Sequence, residues 1–274
     1  MALHGAASGV RDHLLYEHLQ AVLPDAGVGV VTFDRRGEGE STGEPSRGNF
    51  PLQARDALAV IEGIGVPLTG LWGFSQGGWV APLAATMSQR VAFLVLVAST
   101  GVTPAAQMMY ATEQRLRRAG YGQDVVDRAL GLRRALEAWI HNPTTSEGRA
   151  LKSALAQGRR ERWWPLAFLP SELPGPRGRR EWIEEMDFDP APIFADVSVP
   201  TLAFYGTDDA WTPVAQSVET WRSLRGSAVD IVVIEGASHE LTMRNGEISP
   251  VYETTMIDWM RSTGIARDGA GRRA

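Results

Sequence analysis

The chain of 274 residues contains no cysteine, which excludes disulfide bonds, cysteine nucleophiles and thiolate metal sites together. Long apolar runs are also missing. The longest, VAFLVLVA at 91–98, is far below the roughly 18–20 residues that span a bilayer. The first residues, MALHGAASG, lack the basic segment and apolar stretch of a signal peptide. We therefore expect a cytoplasmic protein that has no membrane partner.

The net charge of the chain is mildly negative, which argues against nucleic acid as a partner. The 27 basic residues (Lys and Arg) are outnumbered by 32 acidic ones (Asp and Glu), for a net charge of −5. Such a chain has no positive field that would hold nucleic acid, so we expect a small-molecule partner. The sequence does not indicate an oligomeric state.

Five short apolar runs, each followed by a turn and then by helical spacing, predict the fold class. Continuous apolar strands that alternate with helices are typical of a parallel sheet covered on both faces. We therefore predict an α/β fold with a doubly wound, mostly parallel sheet. The predicted strands are 28–33, 68–74, 91–99, 201–206 and 229–236, and the predicted helices are 11–23, 52–63, 76–88, 213–224 and 250–262.

The strand signal stops between about 101 and 195, where the pattern is helical and is broken by HNP and LPSELPGPRG. We expect residues 1–100 and 196–274 to form the core of the fold. Residues 101–195 would form a helical cap, or lid, inserted between two strands. We expect the tail at 266–274 to fray.

The stretch LWGFSQGG at 71–78 contains the pattern G-x-S-x-G after a predicted strand and before a predicted helix. In this context the serine occupies a strained turn, where side chains at Gly73 and Gly77 would collide with their surroundings. Ser75 is therefore a candidate nucleophile. The alternative is an ordinary glycine-rich turn.

A serine nucleophile needs a base, and the chain offers five histidines. His13 and His18 fall on the first predicted helix, where a surface or packing role suffices. His141 falls in a turn of the insertion. His239, in EGASHE, follows the last predicted strand at the edge where ligands gather in parallel sheets, and it is the candidate base.

The candidate acids are Asp208 and Asp209, in FYGTDDAWTP after another predicted strand. The chain order Ser, Asp, His is that of the α/β-hydrolases. The sequence resembles a serine esterase or acylaminoacyl-peptidase-like hydrolase of this superfamily, over almost all of the chain outside the insertion. The resemblance implies that Asp209 is the acid, since the family's acid commonly lies three residues after the glycine that ends its strand. Asp208 is the alternative.

Two further stretches carry the resemblance. FDRRGEGES at 33–41 is similar to the family's D-x-R-G-x-G-x-S loop, to which we assign a structural role. LHGA at 3–6 is similar to its H-G-x turn, which supplies half of the oxyanion hole. The resemblance therefore implies that the backbone N–H groups of Ala6 and Gln76 form the oxyanion hole, with His4 as a structural residue.

The start of the chain departs from the family pattern. Family members usually have two or three strands before the H-G turn, whereas only three residues precede it here. We expect either an upstream start, which we favour, or a sheet that lacks its first strands. Such a truncated sheet exposes unpaired backbone, and we expect it to be less stable than an extended one.

The resemblance implies a serine hydrolase that cleaves an ester or amide of a small molecule through an acyl-enzyme, with no cofactor and no metal. The alternatives are an acyl transferase or perhydrolase with the same triad, or a non-catalytic ligand-binding homologue.

The insertion would determine the substrate. Its aromatic and sulfur-containing side chains are candidates for an apolar pocket, with helix packing as the alternative: Trp163, Trp164, Phe168, Trp182 and Met186. The arginine-rich stretches at 115–118 and 159–162 are expected to be solvated faces, with an anionic acyl substrate as the alternative.

Overall fold

Five parallel strands form one sheet in the computed structural model, which describes residues 1–45 and 48–265. The order of the strands across the sheet follows their order in the chain. They are β1 (Ala2–Leu3), β2 (Thr69–Phe74), β3 (Val91–Val97), β4 (Thr201–Gly206) and β5 (Val229–Ile234). Parallel neighbours require crossover connections, which helices supply here. The predicted α/β class is therefore confirmed.

The helices follow the predicted order closely. They are α1 (Leu14–Val22), α2 (Phe50–Ile64), α3 (Gly77–Met87), α4 (Pro104–Arg118), α5 (Gln123–His141), α6 (Thr145–Gly158), α7 (Trp164–Ala167), α8 (Pro176–Met186), α9 (Ala191–Asp196), α10 (Val214–Arg225) and α11 (Pro250–Ser262), with short 3-10 turns at Pro24–Ala26 and Gly226–Ala228. Side chains of Asn49, Thr103 and Thr144 accept hydrogen bonds from the first turns of α2, α4 and α6. These caps explain where the three helices begin.

Alternate residues of the central strands pack against α1 and α11. The period of two places one set of side chains on this face of the sheet: Trp72, Phe74, Val95, Val97, Leu202 and Phe204. The facing helices contribute Leu15 and Leu19 from α1, and Tyr252 and Met256 from α11. Full burial of each such apolar side chain contributes about 1.5–3 kcal/mol. The other face of β2 and β3 is covered by α3.

The predicted strand at 28–33 is wrong, because these residues do not form a strand. The segment is joined to β1 by a single backbone hydrogen bond, from the N–H of Ala2 to the carbonyl of Val31 at 2.9 Å. Since β1 has only two residues, it offers too few backbone hydrogen bonds to pair with a strand at 28–33. Val28 and Val30 still pack against the apolar core, which explains why the sequence pattern looked like a strand.

The chain divides into two compact units. The sheet unit contains Met1–Gly101, Pro190–Asp209 and the described residues from Val214 onward. The helical unit contains Val102–Asp189 and Ala210–Pro213, so α9 belongs with the sheet, although the sequence placed it in the insertion. The expected fraying at 266–274 lies outside the described residues. A cap role for the helical unit stays a prediction.

Each unit has its own apolar core. In the helical unit, buried residues of α4, α5 and α6 form one cluster with Trp163, among them Leu116, Val126, Leu136, Ile140 and Leu155. Across the described part of the chain, no helix has the length and apolar character required to cross a membrane.

We expect Leu96→Ala to lower the free energy of unfolding by about 2–5 kcal/mol, because Leu96 is completely buried in β3 and its loss leaves a cavity. Urea denaturation measures the change. Leu68→Ala is the matched control, since this leucine is 63% exposed just before β2, and its effect should stay within about 0.5 kcal/mol. Equal effects of the two substitutions would contradict the assigned core.

Candidate active site

Ser75 lies in a two-residue turn between β2 and α3. Its φ of 52° is in the left-handed region, which is costly for a residue other than glycine. Two backbone hydrogen bonds hold it there: the Ser75 N–H donates to Val97, and its carbonyl accepts from Gly78, each at 2.8 Å. Strain maintained in this way is typical of functional positions.

The glycines of the motif are required by close backbone approach. A Cβ on Gly73 would lie 2.3 Å from the carbonyl oxygen of Gly77, and one on Gly77 would lie 2.7 Å from that of Leu3. Neither distance is tolerable for a real side chain, and backbone cannot move aside cheaply. The glycines therefore allow the first turn of α3 to pack onto β1 and β2.

Asp209 and His239 meet although 30 residues separate them. The Nδ1 of His239 lies 2.8 Å from Oδ2 of Asp209, whose side chain is fully buried. A buried carboxylate requires such a partner, because its desolvation is otherwise uncompensated. With Nδ1–H donated to the carboxylate, Nε2 is the ring nitrogen whose lone pair can accept a proton.

Contacts between the loops after β4 and β5 bring this pair together. The N–H of Asp208 donates to the carbonyl of Ala237 at 2.9 Å, and the N–H of Gly236 donates to Oγ1 of Thr207 at 2.8 Å. The ring of His239 lies 5.0 Å from that of Phe74, the residue before Ser75. All three predicted catalytic residues therefore lie at the carboxyl edge of the sheet.

Of the predicted oxyanion residues, Gln76 follows Ser75 in the chain, and Ala6 follows Gly5, which packs close to this serine. A Cβ on Gly5, next to Ala6, would lie 3.7 Å from Cβ of Ser75. Among the described residues, the backbone N–H groups of Ala6 and Gln76 have no hydrogen-bond acceptor. Gln76 immediately precedes α3, whose N-terminus favours negative charge.

Arg35 links the turn at Gly5 to the serine turn at Gln76. The sequence analysis did not predict this role. The buried Nη1 of Arg35 donates to the carbonyl of Gly5 at 3.2 Å and to Oε1 of Gln76 at 3.0 Å, while its Nε donates to Glu38 at 2.8 Å. The motif D-x-R-G directs attention to Arg36, which instead pairs with Asp56. The only available signal was the doubled arginine.

Two further histidines surround the site. His4 is buried and donates from Nε2 to the carbonyl of Phe33 at 2.7 Å, and burial lowers the pKa of its imidazole to about 4. His13 caps α1, and its ring lies 5.3 Å from that of Phe74. Its Nε2 lies 3.6 Å from Glu240, and this contact lowers the pKa of that carboxyl.

Most of the predicted pocket residues pack within the helical unit. Trp163 is buried in its core, with Trp164 and Trp182 packed against it, and Nε1 of Trp182 donates to Glu137. Phe168 instead contacts Trp211, with ring centroids 4.9 Å apart. Met186 is half-buried at the end of α8. Substrate contact by these residues stays a prediction.

Comparison with known proteins identifies the family. The model of the alpha/beta hydrolase family matches residues 2–249, which is nearly the whole chain. The chain belongs to the alpha/beta hydrolase family. The resemblance to this family, inferred from the serine turn, is therefore confirmed. Within the described residues, no cluster of three or more histidine or acidic side chains could hold a metal ion.

A curated relative adds little about activity. The chain is 40% identical over 93 residues to an uncharacterised 31.7 kDa protein of Escherichia coli from the traX-finO intergenic region. The match covers 32% of this chain and 32% of that protein, so it spans about a third of the relative's length.

Solved structures share the fold of this chain. A proline iminopeptidase from Mycobacterium smegmatis is 18% identical with a TM-score of 0.63, covering 95% of this chain and 88% of that one. An esterase from Pyrococcus furiosus is 15% identical with a TM-score of 0.60, covering 95% and 80%. An esterase from Exiguobacterium antarcticum is 20% identical with a TM-score of 0.57, covering 95% and 90%. Identities this low show the fold alone.

We expect the stability of the wild-type protein to fall as the pH drops from about 6.5 to 4. The lowered pKa of His4 means that the unfolded chain binds a proton in this window that the folded chain does not. The loss amounts to at most about 3 kcal/mol. His4→Gln should flatten this part of the profile, measured by urea denaturation at several pH values.

His141→Gln is the control with the opposite sign. A hydrogen bond with Asp187 raises the pKa of His141, so the protonated imidazole stabilises the fold at acid pH. Its removal should not flatten the profile. Superimposable profiles for wild type and His4→Gln would show that His4 does not cause the loss of stability at acid pH.

We expect Arg35→Met to lower the free energy of unfolding by about 3–5 kcal/mol, because it leaves buried acceptors on Gly5 and Gln76 and the charge of Glu38 without their cation. Adding Glu38→Gln should restore part of the loss in a double-mutant cycle. Arg117→Met removes a solvent-exposed ion pair with Glu113 and should have little effect. A loss no greater than that of the control would refute the role of Arg35.

Proposed function

We propose that this hydrolase cleaves a carboxylic ester or amide of a small molecule, with Ser75 as nucleophile, His239 as general base and Asp209 as the orienting acid. The observation that carries the proposal is the 2.8 Å contact between His239 and Asp209, with the imidazole beside the ring of Phe74 and hence next to the serine turn. A serine hydroxyl is a poor nucleophile unless such a base accepts its proton.

The reaction has two halves. His239 accepts the hydroxyl proton of Ser75 through Nε2 as the oxygen attacks the carbonyl carbon, and the imidazolium then gives that proton to the leaving alcohol or amine. This forms an acyl-enzyme on Ser75. Water, deprotonated by the same nitrogen, then attacks the acyl carbon. The imidazolium returns this proton to the oxygen of Ser75 as the acid product leaves. Asp209 holds the imidazole tautomer and stabilises its charged form throughout.

Negative charge on the substrate oxygen is stabilised by the backbone N–H groups of Ala6 and Gln76. Support comes from their lack of other acceptors among the described residues and from the start of α3 at Gln76. Each preorganised donor of this kind is worth about 2.7–4 kcal/mol in the transition state. Arg35 orients both donors by binding the carbonyl of Gly5 and the side chain of Gln76.

We expect Ser75→Ala to reduce the hydrolysis of p-nitrophenyl esters by roughly 10⁴–10⁶-fold, because no other hydroxyl would occupy the turn. A panel of increasing acyl length, with aminoacyl anilides alongside, measures turnover and ester or amide preference. A fluorophosphonate should label the Ser75 peptide of the wild type.

Ser223→Ala is the matched control, since this hydroxyl lies on α10 and bonds only the carbonyl of Thr220. It should retain wild-type turnover. Thermal melting confirms that both variants fold. Undiminished hydrolysis by Ser75→Ala, or phosphonate labelling elsewhere in the chain, would refute the assignment.

A further inference from the structure

The positively charged guanidinium of Arg115, on α4 of the helical unit, has no anionic partner among the described residues. Its Nε is buried with no hydrogen-bond partner, and its guanidinium forms no hydrogen bond or ion pair within the described residues. Burial lowers the pKa of this guanidinium, but arginine stays charged in proteins. Burying an unpaired charge is costly, so such a group is expected to have a partner. The expectation of a solvated face therefore does not describe Arg115.

Two aromatic rings place the Arg115 guanidinium. Its central carbon lies 4.7 Å from the ring centroid of Phe168 and 4.5 Å from that of Trp211. These cation–π contacts hold the planar group in one orientation without using its N–H donors. Both terminal nitrogens are therefore left to bind a ligand.

Phe168 is itself held in a strained conformation. Its φ of 50° lies in the left-handed region, and the residue is 37% exposed. The buried Arg133 donates from Nη2 to the carbonyls of Ala167 and Phe168, at 2.6 and 3.0 Å, and Thr112 donates to the same carbonyl of Ala167 at 3.3 Å. Three polar contacts thus maintain a partly exposed aromatic ring beside an unpaired cation.

Neighbouring charges leave Arg115 available to an external anion. On the same helix, Glu113 is paired with Arg117 at 2.8 Å. Glu137, whose Coulombic field acts on Arg133, accepts a hydrogen bond from Trp182. Both carboxylates therefore bind groups other than Arg115.

We propose that Arg115, Phe168 and Trp211 form a binding site for a small organic carboxylate with an apolar body. The guanidinium fork matches the two oxygens of a carboxylate, and the exposed ring of Phe168 offers an apolar surface for the rest of the molecule. All three residues belong to the helical unit. The site goes beyond the proposed hydrolysis, because binding here requires no nucleophile.

The test compares phenylacetate with its neutral analogue phenylacetamide by titration calorimetry on the full chain. Phenylacetate should bind the wild type at least about tenfold more tightly than phenylacetamide, as expected for a hydrogen-bonded charge. Arg115→Met should remove this advantage, whereas Arg115→Lys should keep part of it. Arg117→Met, two residues further along α4 and already paired with Glu113, should bind as the wild type does.

Thermal melting and the binding of phenylacetate by Ser75→Ala serve as controls for this test. Thermal melting should show Arg115→Met to be at least as stable as the wild type, because the substitution removes an unpaired charge; if it unfolds, the lysine variant and the amide comparison decide. Ser75→Ala should bind phenylacetate normally, so that failure of the proposed hydrolysis and failure of this site are distinguishable.

The proposal is overturned if phenylacetate does not bind, or if its affinity is the same in wild type and Arg115→Met. Equal affinity for inorganic phosphate and phenylacetate would also overturn it, since the apolar body would then contribute nothing.

Discussion

The close approach of α3 to β1 and β2 is the constraint on which the site depends. The chain passes from a buried strand to a helix within two residues, so backbone packs directly against backbone at Gly73 and Gly77. This geometry forces Ser75 into a left-handed conformation and leaves the N–H of Gln76 without an acceptor among the described residues. Strain in the turn is offset by the apolar burial of the strands around it.

Three arginines show how the environment of a cation determines what it can do. Arg35 is buried, and its charge is met by Glu38 and by two neutral oxygens, so it acts as a structural tie between segments. Arg133 is also buried and binds two carbonyls, which anchors the backbone at Phe168. Arg115 is only half-buried but has rings instead of acceptors. Of the three, it is the one suited to bind something from outside.

Much of the fold could be predicted from local patterns. The strands β2–β5 and the helices around the sheet follow apolar runs and helical spacing, which depend on neighbours a few residues apart. The prediction failed at 28–33, because a strand also needs a partner of sufficient length and β1 has two residues. The apolar pattern there reflects the partial burial of Val28 and Val30, and burial by itself does not supply the backbone hydrogen bonds of a strand.

By itself the sequence determined the serine turn, the order of Ser75, Asp209 and His239 along the chain, and the family to which that order points. Only the tertiary structure decided that the carboxylate of Asp209 contacts His239 and that Arg35 rather than Arg36 bridges the turns. It also decided that no anion among the described residues pairs with Arg115. The physical reason is the distance along the chain over which each interaction acts. Turn chemistry and periodicity are encoded within a few residues, whereas the partner of a charged side chain depends on which distant loops and helices packing brings beside it.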